Sequence, residues 1–292
     1  MKTNKKQQTD VKVLDAVMGS GKTTYIIEQM NTIENRDKKY IYITPNLTEC
    51  ERIAEACSML DFKHPTNDKG SKLKDLQRLV ENDENIVSTH ALLTHFTKET
   101  LELLKNRNYH LVLDEAIEPC MKYRIETTDI EILFKSGYVG VSEDGVTLEW
   151  LEDRPKYDSK FYYEYKLIEN ENLVMFDFNA SKKEKKVFIW EMTPSLFNSF
   201  MSVTILTYQF DGSYLRSYLD TKEIKYTVDT ETIKRKDKIG HLINVCRHKE
   251  LNKIGAHRQS LASSLKRDPK KCSELGTNIY NWGSNDQTNV MV

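Results

Sequence analysis

Two glycines, Gly19 and Gly21, stand just ahead of Lys22, Thr23 and Thr24 in the run AVMGSGKTT, which begins at Ala16. The spacing Ala16-x-x-x-x-Gly21-Lys22-Thr23 suits phosphate chemistry. Glycines there let the main chain turn tightly and bring its N–H groups against anionic oxygens with no Cβ in the way. The backbone from Gly19 through Ser20, Gly21, Lys22 and Thr23 to Thr24 would then form an anion-binding concavity. A helix N-terminus adds partial positive charge to it. Lys22 would reach the β- and γ-phosphates, and the Thr23 hydroxyl would ligate Mg²⁺. The expected ligand is ATP with Mg²⁺.

A second chemical pair, Asp114 and Glu115, lies at the end of the apolar run in LVLDEAIEP. A strand that delivers a carboxylate to the carboxyl edge of a sheet is where a Mg²⁺-binding aspartate belongs. Glu115 would polarise the attacking water as a general base. An isolated Asp-Glu after a strand is equally well a helix N-cap pair. The glycine turn upstream favours the metal reading.

The elements that must position these groups follow from hydrophobic periodicity. Residues 11–17 (VKVLDAV) read as a buried strand entering the turn. Residues 23–33, with Ile26, Ile27 and Met30 at helical spacing, read as the helix after it. Residues 40–44 (YIYIT) predict a second strand, Pro45 a turn and 47–60 a helix. Residues 85–89 and 109–114 predict two more buried strands, with a helix at 91–104 between them. This alternation implies an α/β fold with a mostly parallel sheet and helices on both faces.

The rhythm changes over 121–197, where aromatic-rich runs at 160–167 and 186–190 and turns at 142–145 and 153–159 predict a β-rich insertion. Phe161, Tyr162, Tyr163 and Tyr165 read as the core of a small sheet, with base stacking as the alternative. Residues 202–208 restore the strand pattern, followed by a helix at 214–219 and an extended segment at 223–228. The expected division is a polar leader at 1–10, an ATPase domain at 11–220 and, at 221–292, a partial second α/β domain or basic helical region.

With 39% hydrophobic and 30% charged residues, the 292-residue chain belongs with folded globular proteins. No apolar run approaches the roughly 20 residues that span a bilayer, so no membrane partner is expected. The leader lacks the apolar core of a secretory signal, which predicts a cytoplasmic protein. Five scattered cysteines form no Cys-x-x-Cys pair and read as reduced structural thiols. The net charge of −1 hides an uneven distribution, with 12 Lys/Arg against 4 Asp/Glu over 231–271. Such an excess suits a polyanion or a solvated helix face.

The ordered motifs resemble the first motor domain of superfamily 2 helicases, the DEAD/DEAH-box-like group, in the form found in bacteriophage genomes. AVMGSGKT looks like motif I, where an initial Ala is shared by many ATP-driven motors, and DEAI at 114–117 looks like motif II. ITPNLTECERIAE at 43–55 looks like motif Ia, which implies that Thr44 and Pro45 contact a nucleic-acid backbone. IVSTHALL at 86–93 resembles the next strand-and-loop motif and implies the same of Thr89 and His90. ILTYQF at 205–210, preceded by a Phe-x-x-Phe spacing, stands where motif III couples ATP state to strand grip. That gives Thr207 the coupling role, although Thr207-Tyr208 departs from the usual Ser-Ala-Thr. The resemblance covers about residues 11–220, with the insertion inside it, and fades afterwards.

The resemblance implies an ATP-hydrolysing nucleic-acid motor or remodeller of replication, recombination or repair. Single-stranded DNA is favoured over RNA, and a phage-encoded chain would work in the host cytoplasm. Such motors need an arginine finger from a second motor domain. No Gln-x-x-x-Arg-x-x-Arg is present, and Arg258 is the nearest candidate. A partner subunit or a missing C-terminal part is therefore expected to complete the site. Two alternatives share these motifs. One is a nucleoside kinase of the thymidine-kinase kind, although its zinc-binding cysteine spacing is lacking. The other is an ATP-gated adaptor with weak hydrolysis.

Overall fold

The computed structural model describes residues 9–68, 70–151, 160–178 and 185–233, all within the first of the chain's two units, Met1–Arg235. The chain runs through β1 (Asp10–Asp15), α1 (Lys22–Met30), β2 (Lys39–Thr44), α2 (Leu47–Ala56), α3 (Lys72–Glu81), β3 (Ile86–Thr89), α4 (His90–Leu93), α5 (Lys98–Lys105) and β4 (Tyr109–Asp114). The middle segment holds β5 (Cys120–Lys122), α6 (Thr127–Lys135), β6 (Val139–Val141), β7 (Leu148–Trp150), α7 (Tyr162–Glu169), β8 (Leu173–Phe178) and β9 (Lys185–Glu191). β10 (Ser202–Thr207), α8 (Tyr214–Thr221) and β11 (Thr227–Asp229) follow.

Six of these strands pair in parallel in the order β11-β1-β10-β4-β2-β3. Their side chains alternate between two apolar layers. Val13, Ile41, Leu111 and Ile205 pack with Leu76, Leu104 and Leu219 from α3, α5 and α8. Leu14, Tyr42, Val112 and Leu206 pack with Ile26 and Met30 of α1 and Cys50 and Ile53 of α2. Burial on both faces is why β1, β10, β4 and β2 read as largely apolar runs, and it is the mark of a parallel sheet covered by helices. The architecture is α/β, with an all-parallel sheet flanked by helices, compatible with a RecA-like P-loop fold.

Several boundaries moved. The helix expected over 91–104 is two, α4 and α5, with the turn at Thr97 between them capping α5 through a bond from Thr100 N at 3.3 Å. The extended segment after α8 contributes β11, which adds an edge strand beside β1.

The insertion carries antiparallel sheets β5-β9-β8 and β6-β7, as expected, but also the helices α6 and α7. The expectation of a strand over 160–167 is corrected, because Tyr162–Glu169 is helical. The apolar positions Phe161, Tyr165 and Ile168 recur at helical spacing, and this outweighs the alternation of aromatics. Tyr165 meets Trp150 edge-on at 5.4 Å, and Trp150 stacks on Tyr138 at 5.8 Å, so these rings pack against the β6–β7 hairpin. That hairpin turns at Gly145, whose φ of 72° suits glycine.

The turn expected at 153–159, the basic stretch 234–271, Arg258 and nearly all of the expected second domain lie outside the described residues. Among the described residues no helix is long and apolar enough to cross a membrane.

Candidate nucleotide site

β1 ends at Asp15, and the chain then turns through Gly19 and Gly21, with φ of 69° and 92°, into α1. A Cβ on Gly21 would meet nothing within 4 Å, so backbone conformation rather than space selects glycine there. Gly21 is the N-cap of α1, and the first turn carries no acidic side chain. Lys22 Nζ folds back to donate to the Ala16 carbonyl at 2.5 Å and to that of Val17 at 3.2 Å. Burial lowers the Lys22 pKa, and the carboxylates of Asp114, Asp15 and Glu115 act against that shift. The Ser20 hydroxyl is buried in the turn with no hydrogen-bond partner among the described residues.

Across the sheet, β4 delivers Asp114 to the same edge. The Thr23 hydroxyl donates to Asp114, 3.0 Å from Oδ2 and 3.3 Å from Oδ1. A hydroxyl and a carboxylate so close form a hard oxygen pair of the kind Mg²⁺ takes alongside substrate phosphates. These residues therefore fit the metal. No cluster of three His, Cys, Asp or Glu suited to a metal occurs among the described residues. A site relying on phosphate oxygens needs none.

Glu115, next in the chain, adopts φ 69° and is exposed. A left-handed glutamate is an uncommon conformation, costing on the order of 1 kcal/mol, and such strain gathers at functional sites. The glycine turn, Asp114, Glu115 and the end of β10 enclose a cavity of about 600 Å³, within the range of small-molecule sites. Thr24 also lines it.

The residues expected to touch nucleic acid divide. Pro45 is exposed at the end of β2. Thr44 is fully buried, with its hydroxyl unpartnered among the described residues. The Thr44 side chain therefore offers no accessible surface, and exposure begins at Pro45. Thr89 and His90 are half-buried at the end of β3. The His90 ring Nε2 lies 3.0 Å from the Asp114 carbonyl, which only accepts, so Nε2 carries the proton. Burial lowers the His90 pKa. Thr207 is buried, and its carbonyl accepts from Ala16 N at 3.1 Å. Asp15 Oδ2 accepts from Phe210 N at 3.0 Å, so the segment after β10 is tied twice to the start of the glycine turn.

No family profile matches the chain, and no solved structure matches it. One curated relative does. The chain is 30% identical over 302 aligned positions to the SPbeta prophage-derived uncharacterized protein YonV of Bacillus subtilis, covering 94% of this chain and 71% of the relative. The chain belongs to the YonV family. A match over 94% of the chain extends well beyond the glycine turn.

In this YonV-family chain two residues converge on the site without a sequence signal. Tyr42, buried in β2, donates its hydroxyl to Asp114 Oδ2 at 2.7 Å. Burial, then the charge and hydrogen bond of Asp114, push its phenol far above the ordinary range, so it stays a donor. Arg52 of α2 lines the cavity beside Thr23 and Asp114. Its Nε and Nη2 both donate to Glu49 Oε2, at 2.9 and 2.7 Å. Hydrogen bonding to Glu49 is the first cause of its raised pKa, burial acts against it, and the charges of Glu49 and Asp114 add to the rise. The β2–β4 adjacency that creates both contacts cannot be read from local pattern.

Proposed function

We propose that this chain is an ATP- and Mg²⁺-dependent motor or remodeller of nucleic acid, of the superfamily 2 type. The observation that carries the reading is the meeting of Lys22 and Thr23 with Asp114 and Glu115 in one cavity on the carboxyl edge of the sheet. The Pro45 and His90 turns stand on that same edge, at the ends of β2 and β3. A polynucleotide lying across the edge would touch them while a triphosphate lies under the glycine turn.

In this reading the amides of the turn and Lys22 bind the phosphates. Thr23 and Asp114 would hold Mg²⁺, which would supply positive charge against the phosphates. Glu115 accepts the proton of the water that attacks the γ-phosphorus. His90, bonded to the Asp114 carbonyl, ties the strand-contact turn to the metal corner.

Phosphate release by the full chain, with and without single-stranded DNA or RNA, tests the reading. Stimulation by polynucleotide is expected. Lys22→Ala should weaken triphosphate binding about 100-fold, the worth of about 3 kcal/mol in charge-assisted bonds. Glu115→Gln should keep binding and lower turnover about 10²- to 10⁴-fold. Phosphorylation of a free nucleoside would indicate a kinase, and tight binding with negligible turnover would indicate an adaptor.

A further inference from the structure

We propose that Arg52 is the cation that meets the γ-phosphate in this site, supplied from within the same chain. The inference rests on the nucleotide reading above and adds a residue to it.

Arg52 projects from α2, the helix that follows β2, and β2 pairs directly with β4, which ends on Asp114. Its side chain, 45% exposed, lines the cavity together with Lys22, Thr23 and Asp114. It therefore stands on the Asp114 side of the cavity, whereas Lys22 rises from the glycine turn. The two cations approach a triphosphate from different elements.

The guanidinium carries five N–H donors in a planar fork. Its bond to Glu49 spends the Nε and Nη2 side on one carboxylate oxygen. Glu49 is one turn away on the same helix, and exposed pairs at that spacing are weak and easily exchanged. A triphosphate offers several negative oxygens in a geometry that the fork matches bidentately. Arg52 would then leave Glu49 for the terminal phosphate.

During hydrolysis the bond from the γ-phosphorus to the β–γ bridging oxygen breaks, and a bond to the water oxygen forms. The water proton passes to Glu115. Arg52 exchanges no proton and stabilises charge on the γ-oxygens.

The test measures equilibrium binding of ADP and of ATPγS, with phosphate release alongside, on the full chain and its variants. The wild type should bind ATPγS about 10-fold or more tighter than ADP, the worth of one charge-assisted contact. Arg52→Ala should abolish that preference, leave ADP affinity within about twofold and slow phosphate release about 10- to 10³-fold. Arg52→Lys should recover part of the loss, and Glu49→Gln, which loosens the restraint, should raise the preference.

Retention of both preference and turnover in Arg52→Ala would overturn the proposal while leaving the nucleotide reading intact. Equal loss of both nucleotides would overturn it too, in favour of a structural role. Wild-type protein that binds neither nucleotide would overturn the reading and this inference together. If Arg52→Ala melts at a lower temperature than wild type, Arg52→Gln replaces it under the same criteria.

Discussion

Tyr42 and Asp114 stand 72 residues apart in sequence, yet the tyrosine hydroxyl donates to Asp114 Oδ2 at 2.7 Å from the neighbouring strand. The register that pairs Tyr42 with Val112 brings this about, because Val112 and Asp114 share a face of β4. The Thr23 hydroxyl meets the same oxygen at 3.0 Å. A carboxylate gripped by two hydroxyls from two other elements has a fixed orientation before any metal arrives. Tyr42→Phe removes one grip and keeps the ring. It should lower unfolding free energy by about 1–2 kcal/mol, measured in denaturant. It should also raise the Mg²⁺ concentration needed for half-maximal phosphate release.

Glu115 offers a test in the opposite direction. Its left-handed backbone disfavours any side chain, so Glu115→Gly should stabilise the fold. The gain should be about 0.5–1 kcal/mol after the extra chain entropy of glycine. The same substitution should abolish turnover. A thermal midpoint that falls would show that the glutamate side chain contributes to folding.

Acid sensitivity should appear through histidine. The His110 ring lies 5.7 Å from that of Tyr40, tilted by 40°, and has Nδ1 2.7 Å from Ser202 Oγ. Burial, with some repulsion from Lys38, lowers its pKa below 6.5, and burial does the same to His90. The unfolded chain therefore binds more protons than the folded one just below pH 6.5. Stability is full above that value and is lost as pH falls through the folded pKa values. Unfolding midpoints measured from pH 7.5 down to 5 should decline, and His110→Gln should flatten part of the slope.

Asp15 accepts from the amide of Phe210 and so holds the segment after β10 beside the glycine turn. Asp15→Ala strands that amide, which should cost about 1 kcal/mol. Hydrogen exchange at Phe210 should quicken more than at Ile205 within β10. Equal exchange at both would mean that the latch has no local effect.

How much of this was legible depended on whether the signal was local. The glycine turn and the strand ending on Asp114 each announce themselves within ten residues, by composition and by apolar run. Lys22 and Thr23 accordingly open α1, and Asp114 ends β4. Tyr42 and Arg52 gave no such signal, because their importance comes from strand order, which no local pattern encodes. The motif Ia resemblance assigns Thr44 a strand contact, yet local pattern does not reveal that the end of β2 is buried on both sides, which leaves the Thr44 side chain no accessible surface. Helix α3 went unread despite Leu76, Leu79 and Val80 at helical spacing, because charged residues dominate KLKDLQRLVE. In α7, two periodicities coexist in KFYYEYKL, and packing on Trp150 selected the helical one.

Helix α2 joins two places that would otherwise be separate. Its N-cap, Asn46, sits directly after the Pro45 turn, and Arg52 comes six residues later, about 9 Å along the axis. Cys50 and Ile53 bury one side of the helix against the sheet. In the proposed reading, a polynucleotide at Pro45 and a phosphate at Arg52 would be joined through fewer than two turns of one packed helix.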